Sequence, residues 1–402
     1  MMRLDCLESI PLLKIVGSPG DHRGDTVLYR AGGDSMLACG VAQHVTRPDS
    51  GFVELTGLMR SADVAHLHFE HLFSTKGERY SPHVQRQLRS DPQLWHIWRE
   101  LGIDVMDLAS NHTLDWGAGA ITETRELLSR AGIETVGAGQ NLGEAITPCI
   151  VERNLIRLGF LGYSAKATYF HATPTSPGAA PFRLAEVIRA IKELKKSVHH
   201  VIVAVHWGIE FTEYPLSEDR AAAQAMVEAG ASVVIGTHAH VPQGIETYKN
   251  GVICYSLGHF LYDPVSDESL SSAMMEQRYS GLLLECRLAE DKVIEASVYP
   301  LEISKACLPR IARGERAEWL CRHILMLSRD LDAKVGSAGF YDQAVSNLWG
   351  RTFRAYRDMC RREGVRYTIQ MMIAHLKPRY FIALGGFLVS RLRRLMTSRI
   401  RG

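Results

Sequence analysis

The chain has 402 residues, 46% of them hydrophobic and 22% charged, and a formal net charge of +2. That composition excludes a disordered or fibrous chain and leaves ample apolar material for a large core. No window reaches the roughly 18 consecutive apolar residues of a membrane-spanning helix. The acids within Met1-Met2-Arg3-Leu4-Asp5-Cys6-Leu7-Glu8 interrupt the apolar stretch a secretory signal needs. Eight cysteines (Cys6, Cys39, Cys149, Cys254, Cys286, Cys307, Cys321, Cys360) are scattered without a C-x-x-C pair. That pattern suits thiols in a reducing compartment better than a disulfide framework or a zinc ribbon. The expected location is cytoplasmic. The charge is uneven: residues 305–402 carry 20 Lys and Arg against 7 acids, which leaves 26 against 37 in the first 304 residues.

In chain order, residues 1–25 read as an N-terminal segment. The β-rich run 26–31 predicts a strand giving way to a turn at Gly32-Gly33-Asp34. A strand is expected at 64–69, a helix at 92–101, a strand at 105–109, a helix at 118–131 ending at Gly132, and a strand at 134–136. The runs 201–205 and 232–235 are almost wholly apolar and β-branched. Between them a helix starts near Ser217, with Glu218 and Asp219 suitably placed in its first turn. Continuous apolar strands separated by helices predict an α/β fold whose sheet is buried on both faces. Residues 304–402 read as a basic helical C-terminal region, which sets the main domain at 26–303.

Residues able to bind metal fall at particular places. Asp34 follows the first strand and Glu70 the second; Asn111, His112 and Asp115 follow 105–109; His206 and Glu210 follow 201–205; His238 and His240 follow 232–235. All lie at carboxyl ends of predicted strands, where an open α/β sheet gathers its ligand groups. Any one alone is explained by turn chemistry or a solvated side chain; coincidence at five strand ends is much harder to accept.

Several segments resemble motifs of the CapA, or poly-γ-glutamate capsule synthesis, branch of the calcineurin-like metallophosphatase superfamily. Gly33-Asp34-Ser35-Met36-Leu37 resembles GDxML, and Ser110-Asn111-His112-Thr113-Leu114-Asp115-Trp116-Gly117 resembles NNHxxDxG. His206-Trp207-Gly208-Ile209-Glu210 is similar to HWGxE, residues 229–240 to aGaDxViGxHxH, and residues 254–260 to xYSLGNF. The resemblance implies a layered α/β/β/α metallophosphatase-like sandwich. It makes Asp34, Asn111, His206, His238 and His240 metal ligands, with Glu70, which matches the Glu of an NLE motif, beside them. His112 then acts on the leaving group, held by Asp115. His68, Glu210, Ser256 and His259 surround these residues as supports or substrate contacts. Imidazoles, carboxylates and an Asn carbonyl suit one or two Mn, Fe or Zn ions. Such ions lower the pKa of bound water from 15.7 to about 7.

The sequence departs from the wider superfamily pattern at one place and from the CapA pattern at two. Met36 stands where wider metallophosphatases have the His of Asp-x-His, as is general in CapA proteins. NLE reads His68-Phe69-Glu70, and SLGNF ends Gly258-His259-Phe260. His68 and His259 are either extra ligands, new acid–base groups, or supports donating one N–H to a carbonyl.

The implied function is a metal-dependent hydrolase or transferase in poly-γ-glutamate capsule synthesis, acting on a phosphoester or an amide. A subunit binding metal or polymer without turnover, and a cytosolic tailoring hydrolase of a small metabolite, are the alternatives. The expected partner is a small-molecule or γ-glutamyl polymer substrate. Residues 376–402, apolar between basic clusters, suit either a packed helix or an anionic membrane surface at its inner face. No nucleic acid is expected, since no aromatic residues interleave with the basic ones.

Overall fold

The structure is a computed structural model that describes residues 3–7, 10–16, 25–46, 52–75, 77–78, 88–166, 168–263 and 277–337, with six more between 357 and 366. The basic and apolar segment 376–402 lies outside the described residues.

Two sheets form the middle of the molecule. The first has ten strands, in the order Arg3–Leu7, Ile10–Val16, Val293–Ile303, Ser280–Leu288, Val27–Met36, Val64–His71, Val105–Asp107, Glu134–Val136; the short strands His259–Leu261 and Pro309–Ile311 pair with Val27–Met36 and Val293–Ile303. The second has six, in the order Ile245–Tyr248, Gly251–Cys254, Ala231–Thr237, His200–His206, Ile156–Ser164, Cys149–Arg153. The strands that end at the candidate residues run parallel within each sheet.

Two-residue alternation sorts the side chains into layers. From the Val64–His71 strand, Ala65, Leu67 and Phe69 join an outer core with residues of the helices Phe52–Arg60, His96–Glu100 and Ala118–Arg130. Val64 faces the other way, into the core shared with the second sheet. His66 also faces that way, its ring 5.4 Å from Phe160 of the opposite sheet. The helices Leu184–Leu194 and Ser217–Glu228 cover the far side of the second sheet with Val187, Ile191, Ala223 and Met226. The layers therefore run α/β/β/α, as the sequence implied.

The expected turn at Gly32-Gly33 is instead a bulge inside a longer strand. Ala31 pairs with His66 and Asp34 with His68, so one extra residue is accommodated on the Val27–Met36 side. A Cβ on Gly33 would lie 1.9 Å from the Gly258 carbonyl oxygen, and the Asp34 N–H donates to that oxygen at 2.9 Å. Glycine is needed for this close approach, and turn chemistry is not.

Described residues on either side of 26–303 join the same body. Ile10–Val16 pairs antiparallel with Val293–Ile303. The helix Gly314–Arg329 buries Leu320, Cys321, Ile324 and Leu327, helical spacing for one apolar face, in the inter-sheet core. Its His323 donates to the Glu213 carboxylate at 3.1 Å, tying the helix to the loop beyond His200–His206. Among the described residues no disulfide forms, and no helix is long and apolar enough to cross a membrane.

The His323 hydrogen bond is the largest reason that the Glu213 carboxyl sits below its ordinary pKa. A depressed carboxyl stabilises the fold above its unfolded value of about 4.3 and loses that contribution as pH falls through the folded value. Glu213→Gln should therefore cost about 1 kcal/mol near neutral pH. In urea titrations the deficit should shrink as the pH is lowered from about 5 to 3.5; a deficit that stays constant over that range would refute the pairing.

Candidate metal centre

Parallel strands from both sheets end at one place, and their last residues meet there. Asp34 is wholly buried, and both its oxygens accept the His238 backbone N–H at 3.2 Å. One Asp34 oxygen lies 3.3 Å from His240 Nδ1, and the other lies 3.9 Å from His68 Nε2. Glu70, also wholly buried, has an oxygen 3.6 Å from His240 Nε2 and 3.9 Å from His112 Nε2. Asn111 meets His206 through its side-chain oxygen. The other His206 nitrogen lies 3.0 Å from the Thr237 hydroxyl.

Ligand atoms within 4.8 Å of one another form overlapping sets: Asp34, Glu70 and His240; Glu70, His206 and His238; Asp34, His68 and His206; Glu210, His238 and His240; Glu70, His71 and His112. Glu70 belongs both to the set holding Asp34 and His240 and to the set holding His206 and His238. Asp34 likewise belongs to two of these sets, one with Glu70 and His240 and one with His68 and His206. The five residues expected as ligands, and Glu70 beside them, are thus gathered in one cluster, together with Glu210.

His112 sits at the mouth of this cluster. Its Nδ1 lies 2.6 Å from Asp115 Oδ2, while its side chain keeps 17% of its exposure. Asp115 is buried, which pushes its carboxyl up against the opposing pull of His112. His259 is a support: its Nδ1 donates to the Arg278 carbonyl at 2.8 Å and its Nε2 lies 3.1 Å from His240 Nδ1. With Nδ1 of His259 protonated, Nε2 accepts from His240 Nδ1–H, and the lone pair of His240 faces Glu70. The Ser256 hydroxyl accepts the Gly258 N–H at 3.1 Å, within its own turn.

Four further residues of the site were not singled out from the sequence. Asp107 lies 2.7 Å from His68 Nδ1. An acid inside an apolar strand was the available signal. Tyr262 stacks on His259 at 4.1 Å between ring centroids and approaches Glu70. His71 packs its ring 4.2 Å from that of His112, and its only signal was adjacency to Glu70. Arg278 is buried over the Phe211 ring, and nothing in its local sequence marked it.

The electrostatics suit a cation. Burial, then the charges of Asp34 and Glu210, push the Glu70 carboxyl well above its ordinary pKa. Burial also pushes Asp34 up, but His240, and then His68 and His259, outweigh it and leave Asp34 lowered. Burial, followed by His68 and His240, holds His206 well below the usual imidazole value, so it is neutral, as a ligand must be. Both Glu70 oxygens and His68 Nε2 are buried without a well-formed hydrogen bond among the described residues. A buried carboxylate left without a well-formed hydrogen bond beside a neutral imidazole is what a divalent ion satisfies, and the mixed oxygen and nitrogen donors fit Mn, Fe or Zn.

A family model, the bacterial capsule synthesis protein PGA_cap, matches residues 29–264. Capsule biosynthesis protein CapA of Bacillus anthracis is 31% identical over 269 residues, 64% of this chain and 66% of that protein. PGA biosynthesis protein CapA of Bacillus subtilis is 29% identical over 232 residues, 57% of this chain and 60% of that one. The chain thus spans just under two thirds of the length of these relatives. Among solved structures, a novel phosphatase from Mycoplasma pneumoniae shares 15% identity at a TM-score of 0.44, over 74% of this chain and 98% of that one. The chain belongs to the bacterial capsule synthesis protein PGA_cap family.

If the cluster binds metal, chelator-treated protein should gain about 2.7 kcal/mol when Mn or Zn is restored at 100 times its Kd. Scanning fluorimetry would read this as a rise in Tm. The double variant His238→Ala, His240→Ala should lose most of that rise; a response equal to wild type would speak against these ligands.

Proposed function

We propose that this member of the PGA_cap family is a metal-dependent hydrolase or transferase that cleaves a phosphoester or amide bond in the making of a γ-glutamyl polymer. The observation that carries the reading is the convergence of Asp34, Glu70, Asn111, His206, His238 and His240, from both sheets, around a pair of buried carboxylates. Asp34, Glu70, Asn111, His206, His238 and His240 would together hold one or two ions, their donor sets overlapping. When bound, such ions supply Lewis-acid polarisation and a water of lowered pKa.

The protein's own residues do the rest. Asp115 fixes the orientation of His112 by taking its Nδ1–H and stabilises the charged imidazolium. His112 Nε2 then faces the Glu70 side of the cleft. As the oxygen of water, or of an acceptor hydroxyl, bonds to phosphorus or the acyl carbon and gives up its proton to solvent, the bond to the leaving oxygen or nitrogen breaks. The departing atom keeps the electron pair and takes the proton from His112 Nε2. Partial exposure of His112 lets it recover a proton from solvent. His259 and Thr237 set the tautomers of His240 and His206, so that the remaining lone pair of each faces the cluster.

The test uses purified protein loaded in turn with Mn, Fe and Zn, a p-nitrophenyl phosphodiester and a γ-glutamyl anilide. One of the two bond classes should turn over, and only with metal. His112→Gln should lower kcat by about 10²- to 10⁴-fold while leaving metal content unchanged. Bound metal with no turnover on either class would defeat the enzymatic reading and favour a chain that binds metal or polymer without chemistry.

A further inference from the structure

We propose that His68 is an additional metal ligand, oriented by Asp107, completing a donor set with Asp34 and His206. The inference rests on the metal-centre reading above and adds to it a residue from the interior of a strand.

Four polar residues form a row across four adjacent parallel strands. His259 pairs with Asp34, Asp34 with His68, and His68 with Asp107. Apolar residues would be expected in this buried row, so each polar member needs a partner. Asp107 is wholly buried; one oxygen takes the Ala109 N–H at 3.1 Å and the other lies 2.7 Å from His68 Nδ1. The carboxylate is also cradled. A Cβ at Gly137 or Gly162 would stand 2.4 or 2.1 Å from Asp107 Oδ1, so the space it occupies exists only because both positions are glycine.

This fixes the imidazole. With one Asp107 oxygen on the backbone and the other on His68, Nδ1 carries the proton and Nε2 the lone pair. His68 is 2% exposed, and Nε2 has no hydrogen-bond partner among the described residues. An acceptor buried in this way is costly unless something binds it. Nε2 lies 3.9 Å from Asp34 Oδ1. Two donors each about 2.1 Å from one ion can be up to about 4.2 Å apart. The His68 ring also stacks on that of His206, centroids 4.7 Å apart and planes 23° apart, so both imidazoles reach the cluster side by side. Burial argues against an acid–base role, because His68 has no route to solvent comparable to that of His112. Met36, two residues beyond Asp34, lies in the apolar outer core. The Val27–Met36 strand therefore offers no imidazole, and its neighbour supplies one.

The experiment measures metal content by mass spectrometry, Kd by chelator competition, and the visible spectrum of the cobalt-loaded protein. His68→Asn and His68→Ala should bind at least 10- to 100-fold more weakly than wild type and shift the cobalt bands. Added imidazole should restore the bands of His68→Ala. Asp107→Asn should weaken binding within the same range while keeping the band positions. His68→Asn retains an N–H for Asp107, so it decides the matter if His68→Ala fails to fold; metal-free melting curves report which variants are folded. Wild-type Kd and cobalt bands in His68→Asn would overturn the proposal. A wild type that binds no divalent ion would instead overturn the metal-centre reading itself.

Discussion

The Asp34 carboxylate belongs to the first sheet, yet both its oxygens accept the backbone N–H of His238, just past the end of a strand in the second. The same bulge that presents Asp34 lets its own N–H reach the Gly258 carbonyl. One residue therefore joins the two sheets and the turn that precedes His259. The site cannot be assembled from one layer alone. Asp34, Glu70 and Asn111 come from the first sheet, His206, His238 and His240 from the second, and packing of rings such as Tyr29 and His66 on Phe160 holds the layers in register. Stability and function share one interface here, and large inter-sheet side chains are as much part of the site as its polar atoms.

The polar groups gathered at that interface are pulled in different directions by their surroundings. Asp34 is held ionised by imidazoles, whereas Glu70, deeper among other acids, is pushed toward its protonated form. His206 and His259 are both driven toward neutrality by burial first; His68 comes next for His206, and His240 for His259, which falls to about 3. Neutral imidazoles offer lone pairs and accept no further positive charge of their own. An added cation would relieve the acids without opposing the histidines, which is the electrostatic condition for coordination.

Much of this was legible in the sequence because the strands are nearly pure apolar β-branched runs, so a polar residue at the end of one stands out. The carboxyl-terminal positions of Asp34, His206 and the His238–His240 pair follow from that contrast. The bulge at Gly32-Gly33 was not legible. Adjacent glycines suit a turn equally well, and the decisive partner, Gly258, lies more than two hundred residues away. Asp107 was missed for a related reason: its meaning depends on glycines at 137 and 162, which local pattern cannot place beside it. Tyr262 and Arg278 acquire their positions only when the strands on either side of them pair. Nothing local announces such residues.

His238 and His240 both adopt left-handed backbone, with φ of +83° and +58°. For residues with a side chain this costs about 1–2 kcal/mol each, and that energy is spent when the chain folds, before any ion arrives. The fold thus fixes the backbone of the turn that carries the two imidazoles, and with it the points from which the rings project. For an ion held at the proposed centre, bonds near 2.0–2.2 Å would suit a narrow donor spacing, whereas calcium prefers about 2.3–2.6 Å and a larger oxygen shell.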